Sequence, residues 1–106
     1  MNDKEREYTV WLEAEQWEIG QWTPEDDSTD VIVAWKDGSR WSATFVAYQH
    51  IKTLTEKNKR TGECLSGAYL WIHEMILIDK VSRFRIEEVI QYLITSGEFH
   101  QVFRTL

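Results

Sequence analysis

Apolar side chains recur along this chain in two rhythms, and the rhythms divide it into strands and helices. Tyr8 to Leu12 is aromatic and β-branched and predicts a short strand. Val31, Val33 and Trp35 alternate with Ile32, Ala34 and Lys36; Trp41, Ala43 and Phe45 then alternate with Ser42, Thr44 and Val46. Two period-two runs around Asp37-Gly38 predict a β-hairpin, with Gly38 supplying the positive φ of the turn. The rhythm then lengthens. Tyr48, Ile51 and Leu54 lie on one stripe of a helix over 48–60, with Lys57, Lys59 and Arg60 in its last turn and Gly62 as its stop. Ile86, Val89, Ile90, Leu93 and Ile94 form a continuous face over 82–96. Ser82 is its N-cap, Val81 and Ile86 have staple spacing, and Gly97 ends it.

Three stretches read less directly. Residues 13–30 form a long connection with Gly20, Pro24 and a run of polar residues from Glu25, and Trp17, Ile19 and Trp22 are the side chains available to pin it. Residues 69–78 are strand-rich and fit one bulged strand or two short ones meeting at His73-Glu74. Phe99, Val102, Phe103 and Leu106 have the spacing of a terminal helix. No internal repeat or low-complexity stretch interrupts the pattern. The expected fold is α+β: one domain over 1–106, with an antiparallel sheet of four to five strands and helices on one face, in the order β-β-β-α-β(β)-α-α. The hairpin face and the Ile86–Ile94 stripe each need the other for burial.

Charge changes this picture. Ten carboxylates stand against Lys4 and Arg6 in residues 1–30, a net of −8, while the other 76 residues sum to +2. Three of the six tryptophans, Trp11, Trp17 and Trp22, fall in the acidic third. Acid mixed with aromatic is the composition of a surface that meets a basic protein. A net charge of −6 disfavours nucleic acid and anionic membranes alike. The single Cys64 excludes an internal disulfide. The first ten residues lack a signal-peptide core, and the stretch 68–78 is broken by His73 and Glu74, so a cytoplasmic protein is expected.

Catalytic and metal signatures are weak throughout. Asp26-x-Ser28-x-Asp30 has the opening alternation of a calcium loop, but Val31 stands where the glycine belongs. His50, His73 and His100 lack metal-ligand spacing. Cys64 beside Leu65 reads as a small buried hydrophobe. Ser66-Gly67 and Ser96-Gly97 lack a nucleophile elbow, and no phosphate-binding glycine motif occurs. The expectation is a protein that is not an enzyme, with no catalytic residue, metal or cofactor. Lys57-Asn58-Lys59-Arg60 is a helix terminus, and one reading pairs it with the acidic third of its own chain.

Residues 56–65, EKNKRTGECL, followed by Tyr69-Leu70-Trp71 and Met75-Ile76-Leu77-Ile78, resemble a group of small uncharacterised bacterial proteins. In size, charge and class the chain is also similar to the immunity proteins that neutralise bacterial toxins, which implies a basic protein partner. The expected function is a small acidic protein-binding module, an immunity-type inhibitor in its most specific form. Its binding residues would be Trp17, Trp22, Glu25, Asp26, Asp27 and Asp30. Buried, Trp17 and Trp22 would be loop anchors; exposed, they would be interface anchors. The alternative is a structural or homo-oligomeric protein.

Overall fold

The computed structural model describes residues 7–106, so the acids and bases among the first six residues lie outside the described part. The fold is α+β with a five-stranded sheet, within the expected four to five strands, though the fifth comes from C-terminal residues whose spacing predicted a helix. Strand β1 (Tyr8–Leu12) leads into a turn of 3-10 helix (Glu13–Gln16), then β2 (Ser28–Trp35) and β3 (Arg40–Ala47). Helix α1 (Tyr48–Thr61) and a left-handed turn, α2 (Glu63–Gly67), precede β4 (Met75–Ile78). Helix α3 (Arg83–Ser96), the single turn α4 (Phe99–Val102) and β5 (Arg104–Thr105) complete the chain.

The strands β1, β2 and β3 pair antiparallel in sequence order. The far side of β3 is shared. Its first half takes β5 antiparallel through Trp41 and Ser42, and its second half takes β4 through Thr44 to Ala47. Because α1 carries the chain back before β4 begins, β4 runs parallel to β3, within a sheet otherwise antiparallel. The 69–78 stretch therefore yields one strand, not two. Glu74, with φ +43°, makes the corner, and its carbonyl accepts the Thr44 amide at 3.0 Å. The terminal helix is shorter than its spacing predicts. It stops after Val102, because the last residues add more as a sheet edge on β3: the Leu106 amide donates to the Arg40 carbonyl at 2.8 Å.

Period two fixes which face each strand side chain takes. Leu12, Val31, Val33, Ala43, Phe45 and Ile78 point inward and meet Val81, Ile86, Ile90, Phe99 and Phe103 in one core. Phe99 and Phe103 stack at 4.4 Å, and Trp35 and Trp41 close the end of the core edge-on to Phe99. The turn behaves as expected, with Gly38 at φ +92° and the Asp37 carboxylate accepting the Ser39 amide at 2.8 Å. Helix α3 also follows its signals. The Ser82 hydroxyl accepts the Arg85 amide, and the Gly97 and Glu98 amides close on the carbonyls of Ile94 and Leu93.

Helix α1 departs from its expected role. Of its fourteen residues only Asn58 is buried; Tyr48 is exposed, and Ile51 and Leu54 are half-buried. No residue of α1 or α2 belongs to the core cluster. The molecule is correspondingly elongated, 48 × 31 × 21 Å, with a radius of gyration of 15.1 Å. A compact chain of this length would have about 13 Å. Within the arm α2 packs tightly on α1. A side chain at Gly67 would meet the Thr55 carbonyl and Lys59 Cγ at 2.8 Å.

Candidate functional site

The face of the sheet opposite the core carries a groove of about 410 Å³. Cross-strand register builds it. Trp11 on β1 pairs with Ile32 on β2, Ile32 with Ser42 on β3, and Ser42 with Arg104 on β5. These four positions form a row across four strands, about 14 Å long at the usual interstrand spacing. The neighbouring row is Asp30 and Thr44, whose hydroxyl donates to Asp30 Oδ1 at 2.8 Å. Ala43, between the two rows on β3, and His73, Glu74 and Leu106 complete the lining.

Three features separate this groove from an ordinary solvated sheet face. Trp11 is 41% exposed and Leu106 is 62% exposed, so large apolar area is left in water. Two carboxylates, Asp30 and Glu74, stand against the single guanidinium of Arg104. Beyond His73 the apolar surface continues: the ring of Trp71, 69% exposed, stands edge-on to the His73 imidazole at 4.4 Å.

The six residues singled out in the sequence do not form one surface. Asp30 lines the groove. Asp26 is turned toward α1, where His50 Nδ1 lies 2.8 Å from Oδ1 and the Thr53 hydroxyl donates to Oδ2 at 2.9 Å. The His50 bond first, and then the Thr53 bond, hold the Asp26 carboxyl below the ordinary aspartate value. Asp27 closes its own loop, accepting the Thr23 amide at 3.0 Å through its side chain and the Ala47 amide through its carbonyl. Trp22 is half-buried and packs on the core, with its indole N–H buried and unpartnered among the described residues. Trp17 is half-buried at the end of the 3-10 turn, and Glu25 is exposed.

The long connection is thus held mainly by polar bonds. Thr29 Oγ1 accepts the Ala14 amide in a buried bond at 2.9 Å, and the Pro24 carbonyl accepts the Val81 amide at 2.8 Å. Glu15 takes both arms of the Arg83 guanidinium at 2.7 Å, while Arg83 also donates to the Val10 carbonyl on the edge strand. The Arg83 bond holds the Glu15 carboxyl below the ordinary glutamate value despite partial burial. Arg83 also occupies a backbone acceptor of β1, which blunts that edge against strand addition.

Among the described residues, the basic run on α1 makes no ion pair with the acidic third. Its ion pair among the described residues is Lys57 with Glu63 at 3.6 Å. Asp26 and Asp30 diverge to α1 and to the groove, so the oxygen alternation does not close into a calcium loop. No group of three or more metal-ligating side chains occurs among the described residues. Three histidines go three ways: His50 to Asp26, His73 to Trp71, and His100 to the Trp41 ring at 4.6 Å.

Reading the sequence for sites missed Trp11, Ile32, Thr44, Arg104 and Leu106. The signal for the first three was present in the outward phase of the same alternation that located the core: Trp11 lies between inward Val10 and Leu12, and Ile32 between Val31 and Val33. Compared with family models, with curated proteins and with solved structures, the chain matches none. No helix among the described residues is long and apolar enough to cross a membrane.

Proposed function

We propose that the protein is a protein-binding module whose site is the sheet groove, and that it takes an extended segment of a basic protein. The observation that carries this reading is the pairing of exposed Trp11 and Leu106 with Asp30 and Glu74 in one groove. Aromatic anchors supply desolvated area, and carboxylates select and steer cationic side chains. An extended segment suits a floor made of cross-strand rows, because alternate side chains of the ligand then meet the Trp11–Arg104 row and the Asp30–Thr44 row in turn. Residues 7–30 hold eight carboxylates and no base, and those not engaged within the chain add to a field that favours a basic ligand. An immunity-type inhibitor of a basic toxin is the most specific form of this proposal, and it rests on charge, size and class.

The test is selection of a randomised peptide library on the immobilised protein, with counter-selection on Trp11→Ala and on Asp30→Lys. Enriched peptides should carry Lys or Arg interleaved with apolar residues, and either substitution should weaken their binding at least tenfold. Each substitution is on an exposed position, so circular dichroism should be unchanged. Peptides retained equally by wild type and by both variants would overturn the assignment.

A further inference from the structure

A second surface combines exposed apolar area with charge of the opposite sign. Residues 48–67 hold Lys52, Lys57, Lys59 and Arg60 against Glu56 and Glu63, a net of +2, and all four bases are exposed. On the same arm Leu65 is 77% exposed, and Tyr69 follows it, also exposed. The α1–α2 arm is therefore basic, apolar and outside the core. Residues 13–27 are its complement. They hold six carboxylates and no base, and within them Ile19 stands fully exposed between Glu18 and Glu25. Of the six, Glu15, Asp26 and Asp27 are engaged within the chain and Glu13 is half-buried, which leaves the Glu18–Ile19–Glu25 stretch facing water.

We propose that the arm of one molecule seats on residues 18–25 of a second copy, and the reverse, in a reciprocal dimer. Leu65 and Tyr69 would cover Ile19, with Lys59 and Arg60 facing Glu18 and Glu25. A second copy fits better than a foreign protein because both halves of the match, apolar centre and opposite charge, are carried by this chain. The arm cannot satisfy its own acidic loop, since Asp26 already fixes that loop to the first turns of α1. Two-fold symmetry gives two such seats per dimer. Each then needs only about 600–1,000 Å² of buried surface for the pair to reach the usual size of a stable interface. Helix α1, about 21 Å long, offers that scale of contact. This dimer is independent of the groove.

The experiment is sedimentation velocity of the full chain over a range of concentrations at low and high salt. Wild type should dimerise, and more weakly as salt rises. Lys59→Glu with Arg60→Glu should raise the dimer dissociation constant at least tenfold, and so should Glu18→Lys with Glu25→Lys. Mixing the two double variants should restore a dimer, because each then offers the charge the other lacks. That restoration separates lost complementarity from lost folding. Trp11→Ala should dimerise as wild type does, so loss of peptide binding in the groove and loss of the dimer are separately readable. A wild type that stays monomeric throughout, a dimer that survives both reversals, or a mixture that fails to associate would overturn the proposal.

Discussion

Substituting Gly67 by alanine tests whether the arm is a separate stability unit. Gly67 has φ +81°, where a side chain costs about 1–2 kcal/mol. A Cβ there would also lie 2.8 Å from the Thr55 carbonyl and from Lys59 Cγ. The lysine can swing aside, but the carbonyl belongs to helix α1 and cannot move without it. Forced overpacking of this kind adds about 1–3 kcal/mol, for a total of about 2–5 kcal/mol. Gly38 is the control. Its φ is +92° and nothing lies within 4 Å, so Gly38→Ala should cost only the backbone term. Cys64, Leu65 and Ser66 are already left-handed, each at a cost of its own, which leaves the arm little reserve.

Because no arm residue belongs to the core cluster, the loss should appear as local opening. Hydrogen exchange at Ser66 and Ala68, whose amides donate to Gly62 and Cys64, should accelerate strongly in Gly67→Ala. The urea midpoint should move far less than in a core truncation such as Ile90→Ala. Unchanged exchange at Ser66 and Ala68 would refute the close contact. A midpoint loss equal to that of Ile90→Ala would refute the separation of arm from core.

Two further outcomes follow from the acidic third. Trp22 packs on the core with an indole N–H that has no partner among the described residues, so Trp22→Phe should be nearly neutral while Trp22→Ala loses about 2–4 kcal/mol in urea unfolding; equal losses would show that the N–H is bonded. Glu15 has its folded-state value below the ordinary 4.5 through Arg83, so its contribution is full above that value and is lost as pH falls through the lower one. The difference in urea midpoint between wild type and Glu15→Gln should therefore shrink on acidification below about pH 4.5, and a difference that stays constant to lower pH would refute the pairing.

The hairpin, helix α3 and the inner face of the sheet were legible because each is written in local code. Alternation, an Asp-Gly turn, a serine cap and a terminal glycine all sit within a few residues of the structure they specify. The direction of β4 was not legible. Parallel or antiparallel pairing depends on where α1 and the following turn deliver the chain, and no residue of Met75–Ile78 records that. Nor was the end of α4. Phe99, Val102 and Phe103 have helical spacing, yet Phe103 reaches the core from an extended backbone, and β3 offers Arg104 and Thr105 hydrogen bonds that a further helical turn would forgo.

Sequence composition located the acid correctly but could not assign its work, and the assignment changes what the acid means. A carboxylate held by a guanidinium or an imidazole in its own chain is already neutralised in part, and its field at a distance is correspondingly weak. Glu15 and Asp26 are in that position, and Asp27 is committed to its loop. Tryptophan divides in the same way: Trp22 is committed to the core, while Trp11, one strand position from buried Leu12, faces the groove. Of the side chains of the acidic third that remain outward, five fall into two groups on different elements. Trp11 and Asp30 lie on the sheet face, and Glu18, Ile19 and Glu25 lie on the long connection. Two patches of one sign are what the two proposals require, one for an extended basic segment and the other for the arm of a second copy, and they divide between them a charge imbalance that a single binding surface would not require.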